Sequence, residues 1–407
     1  MGKYGLVQIA DYKPLIGKDA VERIMEKARH LRDLRVVNIN STYYGGGVSQ
    51  LLSSMTILMN SLGIETGWRT IHGSPDFFTV TKKMHNALQS GDIRWTARKR
   101  AIYERCVYEN AVLNHLTHDF VIVHDPQPLP MINYYRKNGP WIWRCHIDLG
   151  SPNGDLWSYL RKYIEKYDVV VLSAEEYKQE LHTPQVLFMP AIDPFSAVNT
   201  DMSESETRKI IRRHDIPMDL PLVVQISRFD RWKDPQGVID AFNLARKEVP
   251  CRLVLLGNVA TDDPEGPDVY ESLLSQQTDD IIIMSLQDGA LVNALQRQAA
   301  VVLQKSLREG FGLTVSEAMW KGTPVIGGDV GGIKLQIEDG VNGYLVSSVD
   351  EAAARIVDVV RNPEKSVEMG RNARETVRQK FLLSRLLEQY LDLFNGFETV
   401  YRLKHKS

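Results

Sequence analysis

Val301-Val-Leu-Gln-Lys-Ser-Leu-Arg-Glu-Gly-Phe-Gly-Leu-Thr-Val-Ser-Glu-Ala-Met-Trp-Lys-Gly-Thr-Pro-Val-Ile-Gly327 decides the fold. A short apolar run at 301–304 leads through a glycine-broken turn into a helical stretch at 314–322, and a second run follows at 324–327. A strand apolar on both faces suits a buried parallel sheet, and strand, helix and strand in that order build one. The turn has chemistry of its own. Backbone N–H groups converge where a Gly-x-Gly turn enters a helix, and the helix dipole favours negative charge there. Gly310 and Gly312 let the main chain approach a ligand closely.

The same alternation extends in both directions. Upstream in the second half, strands are expected at 222–227, 252–257 and 281–284, with helices at 234–248, 267–277 and 289–299. In the first half, strands are expected at 35–40, 66–71, 119–124, 141–146 and 168–173, with helices at 47–62, 95–116 and 155–166. This pattern predicts an α/β chain of two doubly wound, Rossmann-like domains facing across a cleft. The switch is expected at the proline-bounded stretch Pro190-Ala-Ile-Asp-Pro194, giving domains 1–194 and 195–379. Leu382, Leu386, Leu387, Tyr390 and Leu391 give the tail at 366–398 a helical period, and the terminal helix at 380–407 is expected to pack back on the first domain.

Composition agrees with this plan. A chain of 407 residues, 43% hydrophobic and 25% charged, suits two globular domains. A formal charge of −2 steers it to neither nucleic acid nor an anionic membrane. Cys106, Cys145 and Cys251 are scattered, with no disulfide or zinc spacing, which points to a reducing, cytoplasmic setting. No apolar run reaches spanning length, and the N-terminal residues have no leader-like apolar core. The basic stretch at 94–105 is diluted by Glu104 and Glu109 and reads as an exposed helix. A homodimer is compatible with all of this.

Glu309 and Glu317 flank the glycine turn with seven residues between them. Carboxylates do not bind phosphate, so this pair is better placed to accept hydrogen bonds from hydroxyls on either side of one. Arg228 and Lys233 follow the first strand of the second half, at the carboxyl end where open α/β sheets bind ligands. Arg grips phosphate oxygens bidentately and Lys acts as a point charge; together they can stabilise a leaving diphosphate. Either pair alone would read as an ordinary charged turn. Glycine loops at Gly45-Gly-Gly47 and Gly327-Gly-Asp-Val-Gly-Gly332 are weaker signals. His115, His118 and His124 raise the question of a metal, but meet no zinc spacing. Asp262-Asp263 reads as a turn rather than a metal-diphosphate ligand.

Together these residues resemble the retaining glycosyltransferases of family 4, which have the two-domain GT-B architecture. Four segments narrow the resemblance: Asn40-Ser-Thr-Tyr-Tyr-Gly-Gly-Gly47, Val123-His-Asp-Pro-Gln-Pro128, Trp143-Arg-Cys-His-Ile-Asp148 and Arg308 to Gly322. These are similar to the glycosyltransferring trehalose synthases, which join a nucleoside-diphosphate glucose to free glucose.

The resemblance implies a role for each matching residue. Glu317 binds the ribose hydroxyls, and Glu309 holds donor-sugar hydroxyls near the anomeric carbon. Arg228 and Lys233 bind the diphosphate. Gly310, Phe311, Gly312, Leu313 and Thr314, with Gly46 and Gly47, line the donor. His146 lies beside the transferred sugar, while Asp125, Gln127 and Asp148 are candidates for acceptor hydroxyls. The 259–266 loop lies near the base, which nothing in it identifies.

The resemblance implies no tightly bound cofactor and no strict metal requirement. It implies retention by same-face attack, the leaving phosphate taking the acceptor proton; no carboxylate stands out as a nucleophile. Competing readings are a trehalose phosphorylase, a nucleotide-sugar epimerase, or a relative with a sugar-phosphate, glucan or lipid acceptor.

Overall fold

The computed structural model describes residues 6–44, 46–258 and 265–405. Gly45 of the first glycine loop and residues 259–264, with Asp262 and Asp263, lie outside the described residues. The chain forms two compact units. The first comprises Met1–Tyr44, Val48–Ala191 and Leu383–Ser407; the second comprises Gly45–Gly47 and Ile192–Leu382.

The first unit is built on six parallel strands: β1 (Arg35–Asn40), β2 (Glu65–Thr70), β3 (Phe120–His124), β4 (Trp141–Arg144), β5 (Val169–Leu172) and β6 (Gln185–Leu187). Their spatial order is β2-β1-β3-β4-β5-β6. Residues of β1, β3, β4 and β5 are almost wholly buried, as strands covered on both faces must be. Val37, Val121, Trp143 and Val170 enter one core with Phe77, Tyr103 and Leu160 from the helices on that face.

The C-terminal helix Leu383–His405 also belongs to this unit. Phe394 packs on Phe120 of β3 with ring centroids 4.4 Å apart, and Tyr390 on Phe188 beyond β6 at 5.2 Å. Glu388 and Asp392 on this helix pair with Arg23 and Lys27 of the helix Lys18–Arg29.

The second unit carries β7 (Leu222–Ile226), β8 (Arg252–Gly257), β9 (Ile281–Ser285), β10 (Val301–Gln304), β11 (Val325–Gly328) and β12 (Tyr344–Val346). Its order is β12-β11-β10-β7-β8-β9, again all parallel. Read from β9, this is the order 3-2-1-4-5-6 of a dinucleotide-type sheet, which reverses between β7 and β10. The sheet of the first unit reverses between β1 and β3. Ligands of such sheets bind at the carboxyl ends of the strands flanking the reversal.

Two expectations need correction. The tail is not one helix: Pro363–Lys380 ends and Leu383–His405 begins after a break at Phe381-Leu382. Phe381 leaves helical geometry (φ −128°, ψ 18°), buries its ring against Phe311 and gives its carbonyl to Ile192 N at 2.8 Å. The last strand of the first unit is β6, not 168–173, and the second sheet ends at β12. Both additions are three-residue edge strands, too short to show a period.

Candidate active site

The donor candidates gather at the carboxyl ends of β7 and β10, the reversal point of the second sheet. Arg228 stands two residues beyond β7 and is half-buried. Lys233 closes a 3-10 turn, Arg231–Lys233, which Asp230 caps through Trp232 N at 2.9 Å. That turn is tied to its neighbour: Leu307 N donates to Trp232 O at 2.8 Å, and Gln225 Nε2 donates to Lys233 O at 2.9 Å.

Two ion pairs link these loops. Lys233 Nζ meets Glu309 Oε2, and Lys305 Nζ meets the adjacent Asp234 at its Oδ2. Asp234 adopts a left-handed conformation (φ 50°) and caps the helix Pro235–Ala245 by accepting Gly237 N at 3.1 Å. Both pairs are largely buried, where a charge needs a partner. Ser306 Oγ also donates to Glu309 Oε2, at 3.3 Å.

The glycine turn is fixed from below. Gly312, at φ 83°, ends the loop and is the N-cap of the helix Leu313–Trp320, with no side chain capping it. Gln336, itself buried, donates from Nε2 to Phe311 O at 2.6 Å and accepts Ser316 Oγ. Gly332 of the second glycine loop packs so closely that a Cβ there would lie 2.4 Å from Phe311 Cα. Gly47 groups with this unit, and a Cβ on it would lie 2.7 Å from Leu313 Cδ1. Thr314 follows on the first turn of the helix, half-buried.

Glu317 lies further along that helix and is only 5% exposed. Burial pushes its carboxyl above the usual range, against the pull of Lys321. Lys321 Nζ donates to Glu317 O at 3.0 Å and to Asn199 Oδ1 at 2.8 Å, and burial lowers its own value.

In the first unit, the candidates follow β3 and β4. Asp125 has φ 61°, uncommon outside glycine, and its Oδ1 accepts His146 N at 2.7 Å. Trp143 Nε1 donates to Asp125 O at 2.9 Å. Asp148 is buried, and its Oδ1 accepts Gly150 N at 2.8 Å. Gln127 Oε1 is buried and has no hydrogen-bond partner among the described residues.

His146 is half-buried, with its Nε2 3.0 Å from Nδ1 of the buried His124. The other nitrogen of His124 lies 2.9 Å from Asn38 Oδ1. Burial, helped by the nearby Arg144 charge, pulls His124 down to about 3 and His146 well below its usual value. Both rings are therefore neutral near pH 7. His124 thus faces His146 and Asn38, and among the described residues no group of three or more His, Cys, Asp or Glu side chains could hold a metal ion. Nor is any described helix long and apolar enough to cross a membrane.

Comparison with known proteins covers both units. Residues 38–179 match the trehalose synthase N-terminal domain, and residues 206–376 match glycosyl transferases group 1. The chain is 44% identical over 400 residues to the trehalose synthase of Thermococcus litoralis, covering 96% of this chain and 97% of that one. The chain belongs to the trehalose synthase family. A more distant relative is the trehalose phosphorylase of Pleurotus pulmonarius, 27% identical over 86% of this chain and 56% of its own length. In fold, the chain is similar to a sucrose-phosphate synthase from Thermosynechococcus elongatus, with a TM-score of 0.70 and 18% identity over 90% of this chain and 100% of that one. The GT-B architecture is thus the fold of this chain.

Within this trehalose synthase fold, sequence reasoning passed over four residues that hold the candidates in place. Gln336 fixes the glycine turn, Lys305 and Asp234 join the two loops, and Asn38 ends the histidine pair. Only Asp234 leaves a trace in sequence, as an Asp-Pro pair ahead of a helix.

Proposed function

We propose that this chain is a retaining hexosyltransferase that moves glucose from a nucleoside-diphosphate glucose to free glucose, forming trehalose. Membership in the trehalose synthase family over nearly the whole chain carries the reading. The arrangement at the β7/β10 reversal supports the donor class. Lys233 and Glu309, an anion-binding and a hydroxyl-binding side chain, already lie against each other there. In this reading Arg228 and Lys233 take the diphosphate, and Glu309 takes sugar hydroxyls near the anomeric carbon. Glu317 takes the ribose diol.

His146 lies beside the transferred sugar, and Asp125, Gln127 and Asp148 serve the acceptor. A free monosaccharide offers only neutral hydroxyls, so carboxylate and amide acceptors suit it better than cations. The leaving phosphate takes the acceptor proton, and no metal is required.

The test is a panel. Several nucleoside-diphosphate glucoses are incubated with free sugars, with and without EDTA, and the product linkage is identified. An α,α-linked disaccharide from glucose, made equally well in EDTA, is the expected result. A glucan, lipid or sugar-phosphate product would replace the acceptor, and loss of activity in EDTA would replace the metal-free mechanism. The Pleurotus relative favours one rival, a phosphorylase. Breakdown of trehalose by inorganic phosphate without nucleotide would establish it.

A further inference from the structure

Three polar side chains run in series through the first unit. Asn38 comes from β1, His124 from the end of β3, and His146 from just beyond β4. These strands are consecutive neighbours in the sheet. Asn38 and His124 are each 2% exposed. Apolar side chains would fill such positions without the cost of burying polar atoms. That cost is real here: Asn38 Nδ2 is buried with no hydrogen-bond partner among the described residues. The two imidazoles are stacked, with centroids 5.3 Å apart and planes 16° apart.

The geometry allows only linked proton positions. If Asn38 Oδ1 accepts from His124 Nε2–H, then His124 Nδ1 is bare. It must then accept from His146 Nε2–H, which leaves His146 Nδ1 bare. Turning the Asn38 amide over reverses every donor in the chain and puts the proton of His146 on Nδ1. In either direction the state of Asn38 dictates which nitrogen of His146 carries hydrogen. In the structure the amide presents Oδ1 to His124, so Nδ1 of His146 is the bare nitrogen and offers a substrate an acceptor. Arg144, on β4 beside both rings, opposes protonation of either.

We propose that Asn38 and His124 are positioning residues that hold His146 in a single neutral tautomer. An imidazole left to itself populates both tautomers, so only part of the enzyme would offer a substrate hydroxyl the correct partner. The effect on turnover rests on the proposed function; the tautomer does not.

The test therefore has two arms. In the first, 15N-labelled histidine spectra of the whole chain at neutral pH, assigned with His146→Gln, should show one bare and one protonated nitrogen for His146. Averaged shifts from two exchanging tautomers would overturn the proposal, and this arm needs no variant of Asn38 to fold. In the second, Asn38→Leu should mix the tautomers of His146. It should also lower kcat about 10-fold or more, as loss of partners that orient metal-bound imidazoles does, with the donor KM little changed. Unchanged tautomer and kcat in a folded Asn38→Leu protein would also overturn it. If the spectra behave as expected but no nucleotide sugar is turned over, the proposed function fails and the tautomer lock stands.

Discussion

The two sheets place their candidate residues alike and equip them differently. In each unit the candidates stand at strand ends beside the reversal of strand order. At the β7/β10 reversal the side chains are charged and cross-paired, Lys233 with Glu309 and Asp234 with Lys305. Around β3 and β4 the side chains linked in series are neutral, two imidazoles that burial keeps uncharged and a carboxamide, while the carboxylates of Asp125 and Asp148 accept backbone N–H groups. A site of fixed cations suits a diphosphate, whose charge changes during transfer. A neutral relay suits a sugar, which has only hydroxyl groups. On the proposed function, the fold supplies position and the local side chains decide which substrate each position serves.

The largest expected effect breaks the charged side. Arg228→Ala and Lys233→Ala should each lower kcat by on the order of 100-fold or more, since on the proposed function the charge they meet grows as the bond breaks. Steady-state kinetics on folded variants would check this; near-normal kcat in both would remove the phosphate assignment. Glu317→Ala comes next and should weaken donor binding by about 1.5–3 kcal/mol in calorimetric titration. Its raised value also sets a pH dependence. Donor affinity should be full above that value and fall as pH drops through it, because protonation removes the charged acceptor. Lys321→Met removes the opposing positive charge, so the fall should begin at higher pH.

How legible this was depends on length and on partners. The inner strands show in sequence because runs such as Leu222-Val-Val-Gln-Ile226 are apolar on both faces. Gln185–Leu187 and Tyr344–Val346 escape because three edge residues carry no period. The break at Phe381 escapes because its causes, Phe311 and Ile192, lie far away in sequence. Glu309 and Glu317 are visible through their spacing around glycines, and Lys233 through its place with Arg228 after an apolar strand. Asn38 is not, because an amide inside Arg35-Val-Val-Asn-Ile-Asn40 looks like any polar residue in a strand. Its meaning comes only from His124, 86 residues later.

Smaller effects sharpen the neutral side. Asp148→Ala and Gln127→Ala should each raise the apparent barrier for glucose by about 1–3 kcal/mol, the cost of an unpaired hydroxyl, while donor binding stays intact. Acceptor kinetics at saturating donor would show it, and unchanged glucose kinetics in both would send the search to Asp125. The smallest effect belongs to neither site. Glu388→Ala removes the carboxylate shared by Arg23 and Lys27 and should cost at most about 1 kcal/mol in urea unfolding, with catalysis unaffected.

The break at Phe381-Leu382 also governs the order in which the protein can be made. Ile192–Leu382 is one continuous insertion, whereas the first unit needs the helix Leu383–His405, which is synthesised after it. During synthesis the second unit can close as soon as Leu382 emerges. The first must wait, with the apolar surface around Phe120 and Phe188 uncovered, until Tyr390 and Phe394 have followed. A nascent chain stalled before this helix would thus hold one closed unit and one with an open flank, the kind of surface that chaperones guard.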